Sequence, residues 1–245
     1  DFAAKDAQLT IPSPALQLTQ ISAAFRYNSA NGLSAPSLKA RAFHQPVSGK
    51  IVAEGVRGTT RTRIEANGKI ALTDLTTWLG MAGQKLPISG TLPYKLNVIL
   101  DGNSQLQVDS NLQGLAVDLP APFGKRADET RAAQFRMPLT EKQPSYSAKY
   151  AELASLALAL PDGNLAGARA ELVLGGQSAR LPTDPGISVR GKIAELDIAP
   201  WQALIESYSV PGSSVNQDML RSVNLQVAHF QGFGLEAADL GINLK

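Results

Sequence analysis

Cysteine is absent from the 245 residues, and histidine and tryptophan occur only twice each. Without cysteine there is no disulfide, no thiolate nucleophile and no cysteine-ligated metal, and the chain suits the cytoplasm or an oxidising envelope equally well. His44 and His229 alone cannot build a histidine relay or metal cluster, and both read as ordinary surface or strand residues. No GxSxG, HExxH, GxGxxG or P-loop pattern is present. The Gly-Lys pairs beginning at Gly49, Gly68, Gly124 and Gly191 lack the upstream glycine and the following Ser or Thr that a phosphate cradle needs. Asp101 with Asp109, and Glu236 with Asp239, are the nearest carboxylate sets, but they fall at a turn or on polar faces, where solvated acids are expected. The reading is a protein without catalytic residues, metal or cofactor.

Charge of one sign is also lacking. The 23 basic and 21 acidic residues leave +2, too little for a dominant attraction to nucleic acid or an anionic bilayer. Arg57, Arg61 and Arg63 could contact phosphate or another anionic headgroup, but they come without interleaved aromatics and read more as a loop edge. Long hydrophobic runs are missing as well: the longest, LASLALAL from Leu153 to Leu160, is far short of the ~20 residues of a membrane helix. The chain ends on GLEAADLGINLK, an alternating run that reads as a strand cut short of its partner. A piece of a longer protein is therefore expected, with any membrane contact made by parts outside it.

What is present is alternation. Tyr94, Leu96, Val98 and Leu100 interleave with Lys95, Asn97, Ile99 and Asp101, putting an apolar row on one side of a strand. After the turn residues Asp101 to Ser104, Leu106, Val108 and Leu112 alternate with Gln105, Gln107, Asp109 and Asn111, which predicts a β-hairpin with one wet side. The pattern recurs at Leu156, Leu158 and Leu160, then at Pro161 to Asn164 as a turn, then at Ala166, Ala168, Ala170, Leu172 and Leu174. Val223, Leu225 and Val227, and later Leu240, Ile242 and Leu244, continue it.

One segment is written twice. GKIALTDLTTW (Gly68–Trp78) returns 123 residues later as GKIAELDIAPW (Gly191–Trp201), without a gap, and the two copies hold both tryptophans. Repetition at a fixed offset marks a repeat architecture. Ile64, Ala66, Gly68 and Ile70 form the apolar row of the first copy, matched by Ile187, Val189, Gly191 and Ile193. A glycine on such a row predicts a bulge, a bend or close packing on the backbone. Asp74 and Asp197 stand where a carboxylate can cap a helix, and Pro200 fits its first turn. Trp201, Leu204, Ile205 and Tyr208 give an amphipathic stripe, while Trp78, Leu79 and Met81 make a poorer helix. Trp78, Trp201, Leu204 and Ile205 are expected to cover a sheet end or to lid an apolar cavity.

A one-face-apolar sheet must be covered by something. A second sheet is one answer. The other is that the sheet curls into a trough and accepts hydrocarbon, non-directionally, so that aliphatic rows select an oily tail and leave the headgroup unread. Periodicity leaves both open.

The stretch from Pro87 to Arg131, with SGTLPY, the strand from Leu106 to Leu112 and SNLQGLAVDLPAPFGK, resembles the central region of the YhdP family of AsmA-like proteins of the Gram-negative envelope. Gly114, Leu119, Pro120, Pro122, Gly124 and Lys125 carry the resemblance, and Asn111 departs from it where the family pattern has an acid. The resemblance implies a mainly β fold: a long, curved, folded-over antiparallel sheet forming an apolar groove, with short Trp-bearing helices. It is expected in two continuous repeat units, residues 1–125 and 126–245, the second truncated. It further implies a periplasmic segment of an inner-membrane-anchored protein that carries phospholipid between the two membranes, with no chemistry and no nucleic-acid partner. The groove is then expected along Ile64, Ala66, Ile70, Tyr94, Leu96, Val98, Leu100, Leu106, Val108, Leu112, Ile187, Val189, Ile193, Val223, Leu225 and Val227. The alternative reading is an assembly or scaffold module of the envelope with a self-sealed β core.

Overall fold

The computed structural model describes residues 1–11, 16–56, 59–140, 145–161, 167–208 and 219–244. Arg57, Asp162 to Asn164 and Ala166, named above, lie outside them. The first part of the chain gives β1 (Phe2–Ile11), β2 (Leu16–Asn28), β3 (Gly32–Ala42), β4 (Gln45–Ala53), β5 (Thr62–Ala71) and the helix α1 (Leu72–Trp78). The middle gives β6 (Ile88–Leu100), β7 (Gln105–Ser110), β8 (Leu115–Val117), β9 (Ala133–Pro138), β10 (Ser145–Tyr150), β11 (Ala154–Ala159) and β12 (Arg169–Leu174). β13 (Gly186–Asp197), α2 (Ile198–Tyr208), β14 (Leu220–Gly232) and β15 (Leu235–Leu244) complete it. Among the described residues fifteen strands make one open, curved sheet in nearly sequential order, with β8 off the path and paired to β6. The expected boundary at residue 125 falls in the segment between β8 and β9, and β7 pairs with β9.

Alternating side chains set the register. Leu96 faces Val108 and Val98 faces Leu106 across β6 and β7, so the predicted hairpin forms with its apolar rows matched. Leu112 departs from it: β7 ends at Ser110, and Leu112 takes a positive φ of 53° and turns into a separate buried cluster. The polar residues at Asn111 and Gln113 break the pairing, since Gln113 N–H bonds to Asn111 Oδ1 (3.2 Å) and Arg131 N–H to Asn111 O (2.8 Å).

Every neighbouring pair is antiparallel except β12–β13 and β13–β14. Seven steps separate β5 from β13 in the sheet order, and the single parallel step leaves six reversals, so the two copies of the repeat point the same way. Their helices therefore leave the sheet at the same end. The parallel step needs a return path, and residues 175–185 supply it along the outer face. Ser155 Oγ donates to Gln177 O (2.8 Å) and accepts from Ala179 N–H (2.8 Å), and Arg180 N–H donates to Glu171 Oε2 (2.7 Å). Beneath this strap the outward-facing Ala157, Ala159 and Val173 are buried. The opposite face stays clear of the connection.

The two helices differ from expectation in detail. Asp74 lies inside the first turn of α1, whose N-cap is Ala71 and which has no side-chain cap. Asp197 does cap α2, accepting from Ala199 N–H at 3.1 Å. Ile205 falls off the packed stripe and is 61% exposed.

Candidate functional site

Cross-strand register carries one apolar row from strand to strand on the inner face of the curved sheet. Ile51 faces Ile64, Ile64 faces Val98, Val98 faces Leu106 and Leu106 faces Met137. The neighbouring row runs from Leu96 through Val108 to Phe135 and continues beyond β9, where Phe135 faces Ala148, Ala148 faces Leu156, Leu156 faces Leu172 and Leu172 faces Val189. Val189 then faces Val223, and Val223 faces Leu244. Residue size varies along the row. On β3 it is Ala35, Ala40 and Ala42, which with Val47 and Ile51 of β4 are buried, as small side chains permit in a tight curl. From β5 to β13 the row is made of larger residues that remain half-exposed, among them Ile64, Tyr94, Leu96, Val98, Leu106, Val108, Phe135, Leu156, Leu172, Ile187 and Val189. Ala66 and the β14 residues Val223 and Leu225 share that condition, and Leu100 is exposed.

Glycine keeps the row passable for a large neighbour. The Tyr94 ring lies on Gly68, where a Cβ would come within 2.7 Å of its hydroxyl oxygen, and burial raises the pKa of that hydroxyl. At Gly191 the backbone has φ of 137° and a Cβ would sit 2.0 Å from Leu174 O. Both glycines are thus positions of close approach rather than bulges.

A cavity of about 320 Å³ opens on this face, lined by Leu92, Val108, Phe135, Tyr150, Leu156 and Leu172 together with smaller residues. It is about twice the size of an apolar cavity able to hold benzene. Its upper wall is Leu112, part of a cap that closes one end of the sheet. Leu112, Leu115 and Val117 form a buried cluster against Leu72 of α1, Ile88, Leu92, Leu119, Ala133 and Tyr150. Lys125 is 5% exposed and donates to Leu112 O (2.9 Å), Leu115 O (2.5 Å) and Arg126 O (2.8 Å). Burial lowers the pKa of its ammonium, with Glu129 opposing, and three carbonyl acceptors compensate the lost water. Arg131 Nη1 reaches Pro122 O, Phe123 O and the Tyr150 hydroxyl, which itself donates to Phe123 O at 2.8 Å.

The cap spans the curve. Phe123 meets Trp201 of α2 edge-on at 5.9 Å between ring centroids, and Trp78 meets Phe43 at 5.6 Å. Lys85, between α1 and β6, donates to Ser207 O at 3.1 Å and lies over the Tyr208 ring. Along the sheet, β6 and β13 are six strand spacings apart, about 29 Å at ~4.8 Å each. Only a sheet that curls strongly toward its apolar face brings these residues together.

The chain belongs to the YhdP protein family, whose model matches residues 1–245. No curated protein and no solved structure gives a significant match. Membership points to a protein of the bacterial envelope, in a family not known for enzymes. In this YhdP-family chain the LPAPFGK segment, Leu119 to Lys125, is the centre of the cap. Gly124 admits no side chain there, since a Cβ would sit 2.2 Å from Leu119 O.

Ile70, Leu112, Ile193 and Val227 of the expected row are buried, whereas its other members line the uncovered part of the face. Trp78, Trp201 and Leu204 are half-buried at the capped end. The residues that sequence reasoning passed over are Leu92, Phe135, Ala148 and Tyr150; the alternation of Phe135 with Met137, and of Tyr146, Ala148 and Tyr150, was the available signal. Asp101 accepts from Asn103 N–H and lies 3.7 Å from Arg61, and Asp109 accepts from two glutamines, so the two do not form a pair. Among the described residues no group of His, Asp and Glu is placed to hold a metal, and no helix is long and apolar enough to cross a membrane.

Proposed function

We propose that this chain is a periplasmic segment of a bridge-like lipid transport protein, holding phospholipid acyl chains against its inner face for passage between the inner and outer membranes. The observation that carries the reading is the unbroken apolar row that crosses the sheet and stays half-exposed from β5 to β13. Exposed apolar surface of such extent marks a binding surface. No second sheet packs on it among the described residues, which weighs against the self-sealed scaffold. A dozen methylenes removed from water contribute about 10 kcal/mol at ~0.8 kcal/mol each. Family membership supports the envelope setting. The row offers nothing that reads a headgroup, so the groove is expected to accept acyl chains of differing headgroup.

Native mass spectrometry with lipid extraction on the purified chain tests this. Bound phospholipid is expected, and Leu96→Asp or Val108→Asp should abolish it, because each puts a carboxylate on the apolar row. Asn97→Asp and Gln107→Asp, one residue along on the other face, should leave it intact. Equal loss from both pairs, or a lipid-free chain with no affinity for fatty acid, would overturn the reading.

A further inference from the structure

The same strands carry a second feature, on polar residues that the apolar row leaves unused. A concavity of about 980 Å³ lies over β3 to β7. Its polar lining is one row of cross-strand neighbours, Lys39, Ser48, Asn67, Lys95 and Asp109, beside a row containing Lys69, Pro93 and Asn111, with Ala40, Val47, Gly68 and Tyr94 between them. Some cations on this face are matched to acids, Lys50 to Glu65 (3.1 Å), Arg63 to Glu54 (2.5 Å) and Arg190 to Glu171 (2.8 Å), while Arg41, Arg136 and Lys192 are not among the described residues. Lys39, Lys69 and Lys95 have no carboxylate within 4.0 Å among the described residues.

The reason is local. Asp109 stands directly across from Lys95 in the ladder, yet its two oxygens are taken by Gln107 Nε2 (2.6 Å) and Gln134 Nε2 (2.7 Å). Ser48 Oγ likewise donates to Asn67 Oδ1 at 3.0 Å, which leaves the Asn67 amide nitrogen as its remaining polar group. The concavity therefore presents three ammonium groups and one amide beside a single carboxylate, Asp109, that is held by two glutamine amides. Lys39 and Lys95 are three strand spacings apart, about 14 Å on a flat sheet, and Lys69 is two residues from Asn67. Flexible four-carbon stems let the three ammonium groups lean toward Asn67 against the splay of the outer side of the curl.

We propose that this concavity binds a multiply charged phosphate group, held by Lys39, Lys69 and Lys95 with the Asn67 amide as a fourth donor. The bearer is either a soluble phosphate compound or a phosphorylated headgroup. Charge-assisted hydrogen bonds from several directions favour a di- or trianion over a single negative charge.

Calorimetric titration of the chain with inorganic pyrophosphate tests the site. Saturable binding is expected, weakened about tenfold by each of Lys39→Gln, Lys69→Gln and Lys95→Gln. The control is a triple variant of Lys5, Lys50 and Lys192 to Gln, which removes three positive charges elsewhere, more than any single test variant, and should leave affinity unchanged. Amide chemical shifts of Ser48 and Asn67 should move on titration in the parent chain. Co-sedimentation with phosphatidic acid vesicles, and not with phosphatidylcholine vesicles, would assign a headgroup; pyrophosphate binding without co-sedimentation would assign a soluble phosphate. Absence of saturable binding, or equal loss in the control triple, would overturn the proposal. The inner-face variant Val108→Asp should bind pyrophosphate normally, so the two surfaces fail or succeed separately.

Discussion

Trp201 shows how a single side chain was half legible. Its place at the head of an amphipathic stripe follows from its spacing to Leu204 and Tyr208, but its partner, Phe123, lies 78 positions earlier and no local pattern names it. Its indole nitrogen is buried without an acceptor among the described residues. Trp201→Phe should therefore cost under about 1 kcal/mol, because the lost N–H has no acceptor among the described residues, whereas Trp201→Ala should cost about 2 kcal/mol through lost packing. Denaturant unfolding distinguishes the two. Lys125 was equally opaque: a Gly-Lys pair in sequence, it is a buried cation whose acceptors come from folded backbone. Glu171 gives a residue-scale pH effect. The Arg190 guanidinium, bonded at 2.8 Å, holds its carboxyl below the usual value of 4.5. The folded state thus gains from ionised Glu171 above about pH 4.5, and the gain disappears as pH falls through the depressed value. Thermal unfolding of Glu171→Gln should lie about 0.5 to 1 kcal/mol below the parent at neutral pH, the solvent-screened worth of a partly exposed pair. The gap should close in acid.

At the scale of elements, strand faces were readable because period-2 alternation survives in short strands, and the Leu96–Val108 and Val98–Leu106 pairs appear as the spacing implies. The return strap over residues 175–185 was not readable. It has no helical period and no strand alternation, and its hydrogen bonds go to Ser155, Glu171 and Arg190, which belong to other strands. Position 191 connects the two cases: a glycine on an apolar row predicts close approach, and the structure names the approaching atom as Leu174 O. Gly191→Ala should destabilise by about 3 kcal/mol or more, from a disfavoured φ and a backbone clash together. Hydrogen exchange should show the loss concentrated in β12 and β13, with β1 to β4 protected as before.

The molecule as a whole is a curved sheet tied across one end. Lys85 to Ser207 and Phe123 to Trp201 are the ties, and both join segments far apart in the chain, so the one-sided apolar rows and the family resemblance allowed a curl and the tryptophans a covered sheet end, but the tying partners Phe123 and Lys85 were not legible. Replacing Lys85 with Ala and Trp201 with Ala together should widen that end, read as a longer label-to-label distance between positions 79 and 202 by pulsed electron resonance. If the inner face holds acyl chains, the widened form should still retain lipid, since Leu96, Val98, Leu106 and Val108 lie away from the ties.

The lone parallel step between β5 and β13 also restricts how this array could change in length. Inserting or excising a hairpin between the two repeats preserves the exit of α2 beside α1, whereas adding or losing one strand would send it to the far side and leave Phe123 facing water. Growth by even increments is the only kind that keeps the bracket shut, so lengths within such an array should differ by twos.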